Sequence, residues 1–166
     1  MTRRLLVVLL ALVFVPAAVA GGRDAALESS VLRQINQVRV QHGRQPLRLS
    51  PKLAAAAVQH SNEMGADGYF AHESVDGSAF WKRLARWYPS GGFRYWTVGE
   101  NLLWSSPDVT PTRALTMWMN SPEHRANLLS RSWREIGLAA VHFDSAGGPY
   151  GGQPVTIVTA DFGARR

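Results

Sequence analysis

The sequence predicts an α+β fold, with helices packed on an antiparallel sheet. Three observations carry this. The first half of the chain repeats apolar residues at helical spacing, behind recognisable start signals. The stretch from residue 136 to the end holds two nearly continuous apolar runs, 136–143 and 155–162, of the kind that forms strands covered on both faces. No regular alternation of strand and helix connects the two halves, so a parallel doubly wound sheet is not expected.

Taken in order, residues 1–20 stand apart. Arg3 and Arg4 precede an uncharged run from Leu5 to Val15, then Pro16 and Ala18-Val19-Ala20. A basic start, a short apolar run and an A-x-A site describe a secretory signal peptide, cleaved near Ala20. The run is short for a stable transmembrane anchor. Residues 21–26 form a short polar lead, and 27–166 a single domain. From Leu27 to His42, Leu27, Val31, Ile35 and Val38 share one helical face, while Arg33, Gln37 and Arg39 fall elsewhere; Gly43 ends the helix. Ser50-Pro51 opens the next helix with a capping hydroxyl and a proline at the first position. Its stripe is Leu53, Ala56, Ala57, His60 and Met64, and Gly65 or Gly68 stops it.

Residues 66–78 are rich in turn formers and read as a structured loop, with Tyr69-Phe70 wedged inward. Ala79 to Tyr88 reads as a short helix with Phe80, Leu84 and Trp87 inward. Phe93 to Val98 reads as a strand that delivers Gly99-Glu100-Asn101 at its end. Thr110-Pro111 opens a helix through Met119, and Ser121-Pro122 another that ends near Ser130. Residues 144–153, DSAGGPYGGQ, form a flexible connection between the two final strands, as in an antiparallel hairpin.

Composition narrows the function classes. The formal charge of +6 becomes +4 without Arg3 and Arg4, and the remaining arginines are scattered rather than interleaved with aromatics. Nucleic acid is therefore not the expected partner, although a mildly basic surface suits anionic envelope polymers or lipids. The chain has no cysteine, so its core alone must hold it. No G-x-S-x-G elbow is present.

Five histidines are candidates for chemistry. His42 lies at a helix end, His142 in a strand before a turn, and His60 on an apolar stripe, where a core histidine with its ring N–H bonded is expected. His72 and His124 differ. His72 is held in the 66–78 loop. His124 sits in the first turn after Ser121, where backbone geometry fixes it and the helix dipole disfavours its protonation. Glu100 is the third polar residue that these two would meet. The three are separated by 28 and 24 residues, which by itself identifies no metal motif.

The runs HSNEMGADGYFAHESVDG at 60–77, GEN at 99–101, WMNSPEHRANLL at 118–129, EIG at 135–137 and DFG at 161–163 resemble, in order, the CAP superfamily. This is the group of cysteine-rich secretory proteins, antigen 5 and pathogenesis-related 1 proteins, here in its bacterial SCP-like branch. The resemblance implies a secreted or periplasmic protein with a three-layer α-β-α sandwich and a central antiparallel sheet. It also implies a cleft with two His and two acidic residues. By motif, His72 matches the first His, Glu100 the GEN glutamate and His124 the second His. The fourth position departs: Ser121 stands where eukaryotic members carry Glu, which removes a charged contact for a divalent ion.

Three readings of the cluster follow. It could floor a cleft, lined by His72, Glu100, Ser121 and His124, that binds an envelope lipid, glycan or peptide. It could hold zinc through His72 and His124, with Glu100 nearby as general base, in a metal-dependent hydrolase. Catalytic zinc usually has three protein ligands, so two imidazoles are a thin set. Finally, it could be a buried hydrogen-bond network that stabilises the fold.

Overall fold

The computed structural model describes residues 21–166; the signal-peptide reading of residues 1–20 falls outside the described residues. Strand β1 (Gly22–Arg23) opens the described chain inside the expected polar lead and pairs antiparallel with His142 and Val141. Helix α1 (Ala25–Gln41) is capped by Asp24, whose carboxylate accepts the Leu27 N–H at 2.8 Å. Leu27, Val31 and Ile35 are buried as their spacing predicts. The next buried position is Arg39, only 1% exposed, rather than Val38. Its guanidinium donates to the carbonyls of Gln45, Leu128 and Ser130, which is what allows a charge there.

Strand β2 (Arg48–Leu49) pairs parallel with Glu135 and Ile136. Like β1 it has two residues, too few for any periodicity to reveal. Helix α2 (Pro51–Asp67) is capped by Ser50 and stopped at Gly68, whose φ of +67° suits glycine. All five residues of its expected stripe are buried. In α3 (Phe80–Trp87) Leu84 is buried, but Trp87 is 42% exposed and its indole N–H reaches Gln59 Oε1 at 2.7 Å. Trp87 therefore does not face inward. Phe70, expected to wedge the preceding loop inward, also remains partly exposed.

Strand β3 (Trp96–Ser105) starts later and runs further than its sequence suggests. It pairs residue by residue with the last strand, from Trp96 opposite Arg165 to Ser105 opposite Thr156. Glu100 thus lies in mid-strand, not at a strand end. Helix α4 (Pro111–Asn120) is capped by Thr110. Helix α5 (Pro122–Leu128) follows directly, and Ser121 makes no side-chain capping bond to it; Pro122 and Glu123 are the start signals that remain. Strands β4 (Glu135–Ala146) and β5 (Gln153–Arg165) form the expected hairpin.

The sheet runs β1-β4-β5-β3, with β2 alongside β4. Its two faces carry different helices. Ile136, Leu138 and Ala140 of β4 pack into a core with Val31 and Ile35 of α1 and Trp118 of α4. The alternate residues Ala139, Val141 and Phe143 pack with Ala57 and Met64 of α2. Period-two alternation thus sends one strand into two cores, and the result is an α-β-α sandwich. Close approach needs Gly137: a Cβ there would lie 2.0 Å from the Leu53 carbonyl carbon. Strand β3 is the edge of the sheet, and this edge positions the site.

Candidate functional site

Alternation along β3 splits the GEN motif between the two faces. Glu100 points to the α2/α3 side and is almost fully buried, where an ionised carboxylate needs partners. His72 Nδ1 donates to its Oε1 at 2.7 Å, and Arg83 of α3 donates to Oε2. The other Arg83 nitrogen reaches the His72 carbonyl at 3.3 Å and Ser74 Oγ at 3.1 Å, so one guanidinium holds both the carboxylate and the 66–78 loop. His60 Nε2 lies 4.0 Å from Glu100 and donates to the Ala71 carbonyl at 2.9 Å, as expected of a core histidine. Burial alone would push Glu100 up, but the His72 hydrogen bond and the Arg83 charge prevail and hold it below the usual carboxylate range.

Directly across the ladder from Glu100 stands Asp161 of β5, fully buried. Neither of its oxygens has a donor among the described residues. Burial, then the Glu100 charge, push its carboxyl well above the ordinary range. Two carboxyls facing each other out of water cannot both ionise cheaply, so Asp161 is the one that keeps its proton.

Asn101 points to the opposite face. Its amide donates to the His124 carbonyl at 3.1 Å. Asn127 of α5 donates to the Glu100 carbonyl at 3.2 Å and to Asn101 Oδ1 at 2.9 Å, and Trp133 Nε1 donates to Asn127. Gly99 leaves room for that indole, since a Cβ would lie 2.7 Å from Trp133 Cζ2. The Glu100 carbonyl and the Asn101 side chain of β3 thus latch α5, and the latch places His124.

His124 and Ser121 border a cleft of about 270 Å³ at the β3 edge, whose other walls are Phe70, Leu102, Trp104, Met117 and Trp118. The walls are mainly apolar. His72 is half-exposed at 48% and lies above Glu100 on the loop that carries Phe70. Glu100 is buried beneath it and does not reach the cleft surface. The two imidazoles sense each other and diverge. The Glu100 hydrogen bond raises the His72 pKa, whereas burial, reinforced by the His72 charge, lowers that of His124. Relative to free imidazole, the arrangement offers one imidazole pushed towards the charged form and one pushed towards the neutral form beside an apolar pocket.

The residues present are a thin donor set for a catalytic metal. Both oxygens of Glu100 are committed to His72 and Arg83, and His72 Nδ1 is committed to Glu100. Two imidazoles remain as donors, and among the described residues no group of three or more His, Cys, Asp or Glu is placed to hold an ion.

Sequence reasoning reached His72, Glu100, Ser121 and His124 but not Arg83, Asp161 or Asn127. Arg83 had a signal: it follows Phe80 by three residues and shares the inward stripe of α3 with Leu84. Asp161 and Asn127 lie inside the DFG and WMNSPEHRANLL runs, but those runs do not show their contacts, which strand register and helix docking create.

An α-β-α sandwich with a carboxylate-bound histidine and a second histidine flanking an edge-strand cleft defines a class before any comparison. The sequence pattern of CAP, the cysteine-rich secretory protein family, matches residues 32–162, and the chain belongs to that family. Protein YkwD of Bacillus subtilis is 33% identical over 122 residues, which is 73% of this chain and 45% of YkwD. Membrane protein YlbC of the same organism is 30% identical over 111 residues, 67% of this chain and 30% of YlbC. The chain spans less than half the length of these relatives. An extracellular protein containing a SCP domain from Bacillus anthracis superposes with a TM-score of 0.64 at 26% identity, over 82% of this chain and 40% of that one. An outer surface protein of Borrelia burgdorferi shares the fold, with a TM-score of 0.69 at 18% identity over 88% of this chain and 99% of that one.

Proposed function

We propose that this CAP domain is an extracytoplasmic binding module whose edge-strand cleft takes the apolar segment of an envelope lipid, glycan or peptide, while His72 and His124 meet a polar group at its mouth. One observation carries the reading: a mainly apolar cleft of about 270 Å³ lies against a half-buried imidazole that has no protein partner among the described residues. Ligand sites commonly combine apolar walls with a few convergent polar groups. The size suits one acyl segment or apolar side chain rather than a whole drug-sized molecule, whose pockets run from roughly 300 Å³ upward. Apolar walls favour lipid or peptide over glycan. Secretion is part of the proposal. It is supported by the likeness to the extracellular SCP-domain protein from Bacillus anthracis.

The test uses the indoles of Trp104 and Trp118 as built-in reporters. Tryptophan emission is followed while a short-chain phospholipid, an apolar pentapeptide or a soluble cell-wall glycan is added. A saturable change with lipid or peptide is expected, and Met117→Glu, which places a charge on the cleft wall, is expected to abolish it. No response to any of the three, or an unchanged response in M117E, would remove the proposal. Zinc titrated calorimetrically into the wild type is expected to give no saturable heat; a one-to-one isotherm lost in both His72→Ala and His124→Ala would restore the metal reading.

A further inference from the structure

A second cavity, of about 290 Å³, lies at the opposite end of α5 from His124, between the end of α1 and the turn into β4. Arg39, Arg44, Arg131 and Arg134 line it with Gly43 and Gln45, and no acidic residue does. The arginine ion pairs among the described residues belong to Arg23 and Arg83, so none of these four is neutralised that way. Their protein partners are main-chain carbonyls. Buried Arg39 donates to Gln45, Leu128 and Ser130, Arg44 Nε to Leu129 at 2.8 Å, and Arg134 Nη1 to Arg131 at 2.8 Å and Trp133 at 2.9 Å.

The bland explanation is that cations finish the C-termini of α1 and α5. Each helix end carries only about half a negative charge, so two ends offset about one cation of the four. Burial, then the charges of Arg44 and Arg134, depress the Arg39 pKa, as expected of positive charges crowded without a counter-charge. Arg131 makes no side-chain bond to the protein among the described residues, and the terminal nitrogens of Arg44 are likewise unused.

We propose that this cavity is an anion site for a phosphoryl group, as a free phosphate ester or as the headgroup of an anionic phospholipid. Guanidinium forks match the paired oxygens of phosphate, and a phosphoryl group brings up to two charges and several acceptors where a carboxylate brings one charge. A space of about 290 Å³ exceeds what one bare phosphate fills, so an esterified or double phosphate suits it better. The site is separate from the cleft and stands or falls independently of the cleft's ligand.

Calorimetry at low ionic strength with pyrophosphate and glycerol phosphate, and co-sedimentation with neutral vesicles lacking or containing phosphatidylglycerol, test it. Saturable binding is expected, weakened about tenfold or more in the Arg44→Gln/Arg131→Gln double variant, because two charge-assisted contacts are lost. The charge-matched Arg94→Gln/Arg113→Gln variant and the cleft variant His124→Ala are expected to bind as wild type does. Binding of the soluble esters assigns a free phosphoryl ligand, and binding only to the anionic vesicles assigns a headgroup; either supports the site. Should the double variant lose its native circular dichroism, Arg131→Gln alone serves, with a several-fold loss expected. No binding to any probe, or equal weakening by both double variants, would overturn the proposal, the latter by reducing it to general surface charge.

Discussion

A carboxylate cut off from water must be neutralised by its surroundings, and Glu100 meets this with a guanidinium on one oxygen and an imidazole on the other. Its neighbours therefore titrate abnormally, and the signs can be worked out. His72 has a raised folded pKa, so the stability it adds is complete below about 6.5, the value of free imidazole, and is lost as pH rises through the raised value. The stability gap between wild type and His72→Gln is accordingly expected to be wider at pH 5.5 than at pH 8.5 in urea melts. In NMR titrations the His72 ring should titrate above free imidazole and the His124 ring below it. Glu100→Gln should bring His72 down; an unmoved His72 would mean that the carboxylate does not hold the imidazolium. Asp161 obeys the same rule: its raised pKa contributes stability below about 3.9 that is lost as pH rises. Asp161→Asn, neutral at every pH, should therefore gain on wild type between pH 4 and pH 8. A flat difference would mean that Asp161 ionises normally.

The helices and strands that hold these residues depend on close approaches that specific glycines allow. At Gly137 a Cβ would strike the backbone of α2, which cannot move aside without shifting a helix. At Gly99 it would strike the Trp133 ring, a side chain with some freedom. Gly137→Ala is thus expected to cost more than Gly99→Ala, with the latter within about 1–3 kcal/mol and the former at or above the top of that range. Urea unfolding of both variants checks the order. Helix α5 has seven residues and one buried side chain, so its position rests largely on the Asn101–Asn127 latch. Asn127→Ala should lose about 1–3 kcal/mol, from the Glu100 carbonyl and the Asn101 side-chain oxygen that lose their donor, and shift the His124 ring resonances. Unchanged His124 resonances would show that the latch does not position this imidazole.

For the molecule as a whole, the central hairpin is decisive. β4 and β5 face two cores at once, so neither helical layer can detach without stripping the other layer's floor. With no disulfide to divide the chain, unfolding should be a single transition, with tryptophan emission and far-UV circular dichroism coinciding across urea. Two separated midpoints would mean that the layers unfold independently. Much of this architecture was legible in the sequence. The stripes of α1 and α2, the hydroxyl caps at Ser50 and Thr110 and the apolar hairpin all announce themselves locally, because helical period, capping and β-compatibility involve residues near one another. The length of β3 was not legible, since its second half is strand only through pairing with β5. Nor were β1 and β2, which are two-residue additions to β4. The sequence by itself determined the helices, the family motifs and the trio His72, Glu100 and His124. Only the tertiary structure decided that Glu100 is buried between Arg83 and Asp161 while His124 borders an apolar cleft. Glu100, Arg83 and Asp161 come from three different elements, and only the docking of α3 and the register of β5 against β3 bring their charges together.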